Sequence, residues 1–269
     1  MIGIRVEGRF HWGFWVRIPN TSKVQSSLTI PPPTTLIGSL ACPLFKGIPE
    51  LGEVRPKVKE SKAHKKKEGI QSSAYLLNEA VIGCSVYLMD RAFLLEDVSK
   101  YNTLLFQRTA EERRYLPKYR SGIITCGKIL YPDGRVVIAY LLNPEKLSAL
   151  LKNGFKEKIE DAAWQISRIG SKESIFSVDN VEIFDKVPLV KGTVKTKFYF
   201  PANVGKIKEE INPYYRDNFW KEGWGNLDEL EFIEYIIPGR KLPVESCSIK
   251  VDEVKEAYRF RDEEVIILA

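Results

Sequence analysis

Histidine is almost absent: the chain holds two, His11 and His64. Imidazole is the side chain whose ordinary pKa lies closest to neutrality, so imidazole acid–base chemistry has only these two positions. The four cysteines, Cys42, Cys84, Cys126 and Cys247, are far apart and form no CxxC pair. Their spacing is wrong for a zinc site and their number is low for a disulfide scaffold, so they read as buried thiols. No apolar run reaches the roughly 18 residues that span a bilayer. Charge at Arg5 interrupts the opening Met1-Ile2-Gly3-Ile4 where a signal peptide needs an apolar stretch. The expectation is a cytoplasmic protein with no membrane segment. HExxH, GxSxG, Walker A and GxGxxG motifs are missing. The acid pairs Glu111-Glu112 and Glu263-Glu264 are sequence neighbours, which do not face one cavity on a helix. No metal, no cofactor and no catalytic residue are expected. Glutamine is limited to Gln25, Gln71, Gln107 and Gln165 beside plentiful Lys, Glu and Ile, a thermophile-like bias.

What is present fits a folded protein. Of the 269 residues 44% are hydrophobic, with 13 Phe, 12 Tyr and 5 Trp, enough for a sizeable core in one large domain or two smaller ones. Charge is uneven. Residues 227–269 carry 11 acids against 6 bases, a local net of −5, so the rest of the chain carries +11 of the total +6. A basic body with an acidic C-terminal part points to an anionic partner for the body.

Residues Ile2 to Arg9 alternate apolar and polar as a strand does. Pro31-Pro32-Pro33 leads into a helix that Thr34 is placed to cap, with Leu36, Ile37, Leu40, Ala41 and Leu44 on one face and Pro43 limiting it to about three turns. Arg55 to Lys67 is a charge run without apolar period, read as a loop. Ala80 to Asp90 is strand-like. Pro132-Asp133-Gly134 between two β-rich runs predicts a hairpin. Asn143-Pro144 opens a helix that Gly154 ends, and Ile159, Ala162, Ala163 and Ile166 mark another. Ile175 to Phe184 reads as a strand. This order predicts an α+β chain with a ferredoxin-like (RRM-like) βαββαβ domain over residues 1–185. An insertion near 89–125 separates its second and third strands, and a small β-rich region covers 186–269.

Two clusters carry the binding chemistry. In the insertion, Arg108, Arg113, Arg114, Lys118 and Arg120 surround Tyr115 and Tyr119. Guanidinium groups pair with phosphates and rings stack on bases, so the mixture predicts an RNA-contact surface. The second cluster is the turn Arg168 to Ser174. Its Gly170 and Ser171 let backbone N–H groups approach a phosphate, while Arg168 and Lys172 add charge. His11, among Phe10, Trp12, Phe14 and Trp15, either packs or stacks, or joins a tyrosine and a lysine in RNA cleavage. It is counted here with the RNA-binding residues.

Residues 24–44, VQSSLTIPPPTTLIGSLACPL, and 166–178, ISRIGSKESIFSV, resemble the Cas five family of CRISPR-associated proteins (RAMP superfamily), closest to its archaeal, type I-A branch. The resemblance covers roughly residues 1–185. It implies a ferredoxin-like fold with an inserted hairpin-like thumb, and membership of Cascade, the antiviral interference complex. It implies a grip on the 5′ handle of the CRISPR RNA and contact with the backbone subunit (Cas seven family) and the large subunit. One branch of the family cleaves precursor RNA with a tyrosine, lysine and histidine, the lysine and histidine adjacent in the thumb. The corresponding region here has no histidine. The expectation is therefore a non-catalytic RNA-binding subunit, with a metal-independent endoribonuclease as the alternative.

Overall fold

The N-terminal strand runs from Ile2 to Phe10, and it is covered on both faces. A computed structural model describes residues 1–18, 24–46, 73–102, 121–207, 212–220 and 231–268. The Arg55–Lys67 run with His64, and the insertion residues Arg108, Arg113, Arg114, Lys118, Tyr119 and Arg120, lie outside the described residues. In chain order the elements are β1 (Ile2–Phe10), β2 (Gly13–Phe14), β3 (Val24–Gln25), α1 (Pro33–Lys46), α2 (Ala74–Asn78), β4 (Val81–Leu88), β5 (Phe93–Asn102), β6 (Ser121–Leu130), β7 (Arg135–Leu142), α3 (Pro144–Leu151), α4 (Phe155–Trp164) and β8 (Phe176–Phe184). Strands alone follow among the described residues: β9 (Leu189–Thr196), β10 (Phe200–Pro201), β11 (Tyr214–Trp220), β12 (Phe232–Lys241), β13 (Val244–Ser246), β14 (Ile249–Arg261) and β15 (Glu264–Ile267). The chain is α+β and sheet-rich.

The central sheet has the order β4-β7-β1-β8, every pair antiparallel. On one face Ile4, Val6, Val86, Ile138 and Tyr140 pack against Leu36, Leu40 and Leu44 of α1 and Ile159 and Ala163 of α4. On the other, Val137, Ala139 and Leu141 meet Val187 and Phe198, which flank β9, and Tyr258 and Phe260 of β14. Two-sided burial explains the unbroken apolar run of β7, Val136 to Leu142. It also overturns the reading of Arg5 as a polar-face residue. Arg5 is 3% exposed and chelates Glu264 of β15 through Nε (2.6 Å) and Nη2 (2.8 Å). Tyr87 donates to the same carboxylate at 2.9 Å, Glu7 bonds Arg5, and Glu182, 3.2 Å from Arg5, also takes Arg261. Burial opposes charge on Arg5, but its hydrogen bonds to Glu264 and Glu7 outweigh that and hold the guanidinium more firmly protonated.

Several local expectations are corrected. Pro132-Asp133-Gly134 is a turn, with Gly134 at φ +68°, but it closes no hairpin. It joins β6, in a second sheet of order β2-β6-β3, to β7 in the central one. Both edges of β7 are taken, by β1 and β4, and the turn is pinned to the end of β1 by Phe10 N–H to Gly134 O and Tyr131 N–H to Trp12 O, each 2.9 Å. The strand that pairs with β6 along its length is β5, antiparallel over Phe93–Asn102, with β2 and β3 making two-residue pairings. Thr34 caps nothing: α1 starts at Pro33, and Thr34 Oγ1 is buried without a hydrogen-bond partner. Pro43 is accommodated inside α1, which continues to Lys46 because Leu44 and Phe45 are packed in the core. Asn143 does cap α3, its Oδ1 accepting from Glu145 N (2.9 Å) and Lys146 N (3.2 Å). That helix ends at Leu151 with Lys152 at φ +60°, and Gly154 begins α4. Of the thiols, Cys84 and Cys126 are buried, Cys247 is half-buried and Cys42 is exposed, on the α1 face turned from the core. No helix among the described residues is long and apolar enough to cross a membrane.

Candidate nucleic-acid interface

Phe10 and Phe176 pair at the end of β1 and the start of β8, and this register brings two distant segments together. Beyond it, His11 N–H donates to Ile175 O at 3.2 Å and His11 Nε2 lies 2.7 Å from Ser177 Oγ. The Trp12 indole donates to Glu173 O at 2.7 Å. Trp15 is held at both backbone groups: its N–H donates to Ser174 Oγ (2.9 Å) and its carbonyl accepts from Ser171 N (2.9 Å). The turn also closes on itself, through Ile169 N to Ser174 O (3.2 Å), Ser174 N to Ser171 O (3.0 Å) and Phe176 N to Ser167 O (2.9 Å). Ser174 is fully buried. Two segments some 160 residues apart in the chain thus form one rigid corner.

Gly170 has φ +107°, and a Cβ there would stand 2.7 Å from Trp15 O. The glycine is required, but by the protein's own backbone rather than by a phosphate. Likewise the Ser171 N–H, expected to face an anion, is spent on Trp15. The charge of the turn is mixed. Arg168 is exposed and forms no ion pair among the described residues; Lys172 is exposed and 3.9 Å from Glu173. The Glu173 carboxyl is held below the usual carboxylate range by its own backbone N–H and by Ser171, so it stays anionic beside the two cations.

Between this corner and α1 runs a groove of about 630 Å³. Arg168, Gly170 and Ser171 of the expected site line it; Lys172 and His11 do not. Sequence reasoning missed Trp15, Arg17, Gly38, Cys42 and Trp220 on its walls. For Gly38 and Cys42 the signal was the small, polar face of α1, where they stand with Thr35 at helical spacing, opposite the apolar face that marked the core; Trp15, Arg17 and Trp220 lie outside that helix. Trp15 Nε1 is buried and has no hydrogen-bond partner. Among the described residues no three His, Cys, Asp or Glu side chains gather as a metal ion needs.

The fold is similar to that of a CRISPR protein from Archaeoglobus fulgidus, whose crystal structure matches all of this chain and 99% of its own with a TM-score of 0.59 and 20% identity. No protein-family model matches. Two proteins of Saccharolobus solfataricus, CRISPR-associated protein Cas5 3 and CRISPR system aCascade subunit Cas5 1, are each 35% identical over 272 residues, covering 99% of both chains. The chain belongs to the Cas5 family of CRISPR-associated proteins.

Proposed function

We propose that the chain is the Cas5 subunit of a type I-A Cascade in the cytoplasm, where it grips the 5′ handle of the CRISPR RNA without cleaving it. In this reading residues 1–185 are a ferredoxin-like RAMP domain and residues 186–269 a β-rich buttress. The strand order β4-β7-β1-β8, with α1 leading to β4 and α3 and α4 leading to β8, supports the first assignment. The β5–β6 pair, leaving the sheet between β4 and β7, is the stem of the thumb, and Arg108, Arg113, Arg114, Lys118, Tyr119 and Arg120, between these strands in sequence, meet RNA. The backbone and large Cascade subunits are its protein partners. Membership in Cascade rests on the aCascade relative, 35% identical over its length.

The observation that carries the RNA-binding reading is the rigid corner of Trp15 and the Arg168–Ser174 turn beside an open groove. Groups held by packing and paired backbone bonds are already positioned before a ligand arrives. The test is incubation of the purified chain with a repeat-derived RNA across a salt series. A scaffold retains intact RNA with an affinity that falls steeply with salt. A shortened product formed without metal and lost in His11→Ala would make the chain an endoribonuclease instead. Little or no salt-dependent affinity would leave it a protein-interaction subunit.

A further inference from the structure

We infer that the groove between α1 and the Arg168–Ser174 turn takes one nucleobase lifted out of the RNA stack, so that the chain reads a single position of its RNA there. This rests on the RNA-binding reading above. The groove is of ordinary size for a small-ligand site, about 300–1,000 Å³ against about 630 Å³ here. Its walls suit a nucleotide. Two half-buried indoles, Trp15 and Trp220, are on its walls, the kind of ring on which unstacked bases rest, and Arg17 and Arg168 on the same walls carry the charge that flanking phosphates need.

Gly38 is the second, independent sign. A glycine inside a helix costs about 1 kcal/mol relative to alanine, and helices keep one where a side chain would collide. At Gly38 a Cβ would find no atom of the described residues within 4 Å. Among the described residues neither packing nor backbone conformation calls for the glycine, and it lies on the groove wall. Gly170 contrasts with it, because there the chain itself occupies the space. The missing side chain at position 38 keeps a volume clear for something that is not part of the chain. Cys42, one turn further along α1, is an exposed thiol on the same wall and reports occupancy directly.

The experiment uses the full chain and a handle-bearing repeat RNA made abasic at one position at a time, with every phosphate kept. One abasic position should weaken binding by about tenfold, the scale of stacking a single base, while the salt slope stays the same. Gly38→Leu, which fills the groove, should bind intact RNA about as weakly as the wild type binds that abasic RNA, and should no longer distinguish the two. Alkylation of Cys42 in the wild type should be slowed by intact RNA and not by RNA abasic at that position, a readout that needs no variant to fold. Salt-dependent RNA binding with no sensitive position and an unprotected Cys42 would sink the groove proposal and leave the RNA-binding reading standing. No RNA binding at low salt would sink both.

Discussion

Arg5 and Glu264, 259 positions apart in the chain, form a two-pronged ion pair that ties the first strand of the central sheet to the last strand of the molecule. Both side chains are buried, so each charge depends on the other for solvation that water no longer supplies.

Arg5→Met should therefore destabilise the protein by about 3–5 kcal/mol, the usual cost of stranding a buried charge. The double variant Arg5→Met, Glu264→Leu should recover part of that loss, because no charge is then left unpaired at this point. Denaturant titration measures both. A double variant as unstable as the sum of its two single variants would refute the coupling.

Alkaline pH should erode stability from about pH 10. Burial pushes the Tyr235 hydroxyl up to about 12, and Tyr140 and Tyr199, deeper in the core, higher still. In the unfolded chain tyrosines ionise near pH 10. Above that value the unfolded state has released protons that the folded state keeps, so stability falls as pH rises; below it the contribution is intact. Tyr235→Phe should make the decline between pH 10 and 12 shallower by up to about 1.4 kcal/mol per pH unit, read from urea titrations at stepped pH.

The two contrasting glycines should behave oppositely. Gly170→Val places a β-branched side chain at φ +107° against the Trp15 carbonyl, so it should lower the melting temperature and reduce RNA retention together. Gly38→Ala meets no atom of the described residues within 4 Å and should stabilise α1 by about 0.5–1 kcal/mol. Thermal melts of the two proteins side by side decide it.

In the insertion, replacing Arg113, Arg114, Lys118 and Arg120 together by Ala should flatten the salt dependence of RNA binding by about one unit of log–log slope per lost phosphate contact. An unchanged slope would make that cluster a solvated surface.

Local chemistry was legible where a single segment decides the outcome. Asn143-Pro144 caps and starts a helix through atoms within three residues of each other, and the alternation of Ile2, Ile4 and Val6 is a strand wherever it is put. What depends on the far side of a sheet was not legible. Arg5 and Glu7 look like the wet face of β1, and nothing near them announces that Phe260 and Glu264 cover it. The Pro132-Asp133-Gly134 turn has hairpin residues, but which strand follows it into a ladder is settled by β1 and β4, far away in sequence. For the candidate site, Gly170 stood out because a glycine between basic and small polar residues marks a turn whose backbone can be approached closely. Gly38 did not, because small residues on the outer face of α1 read as ordinary solvent-facing positions, and Trp220 did not, because nothing in its own segment shows that it meets α1.

The order of the central sheet has a consequence for the protein's biogenesis. β1 emerges first, yet both of its neighbours, β7 and β8, lie far downstream: Arg9 pairs with Arg135 and Ser177. At about 5–20 residues per second of synthesis, β1 waits roughly ten seconds for its first partner. During that interval its backbone offers two open edges to any other nascent chain. Charges that interrupt an apolar strand are what keep such a segment from pairing wrongly. Arg5, Glu7 and Arg9 occupy alternate positions of β1. The guanidinium that later holds the ends of the fold together thus first guards an orphan strand while it is still exposed.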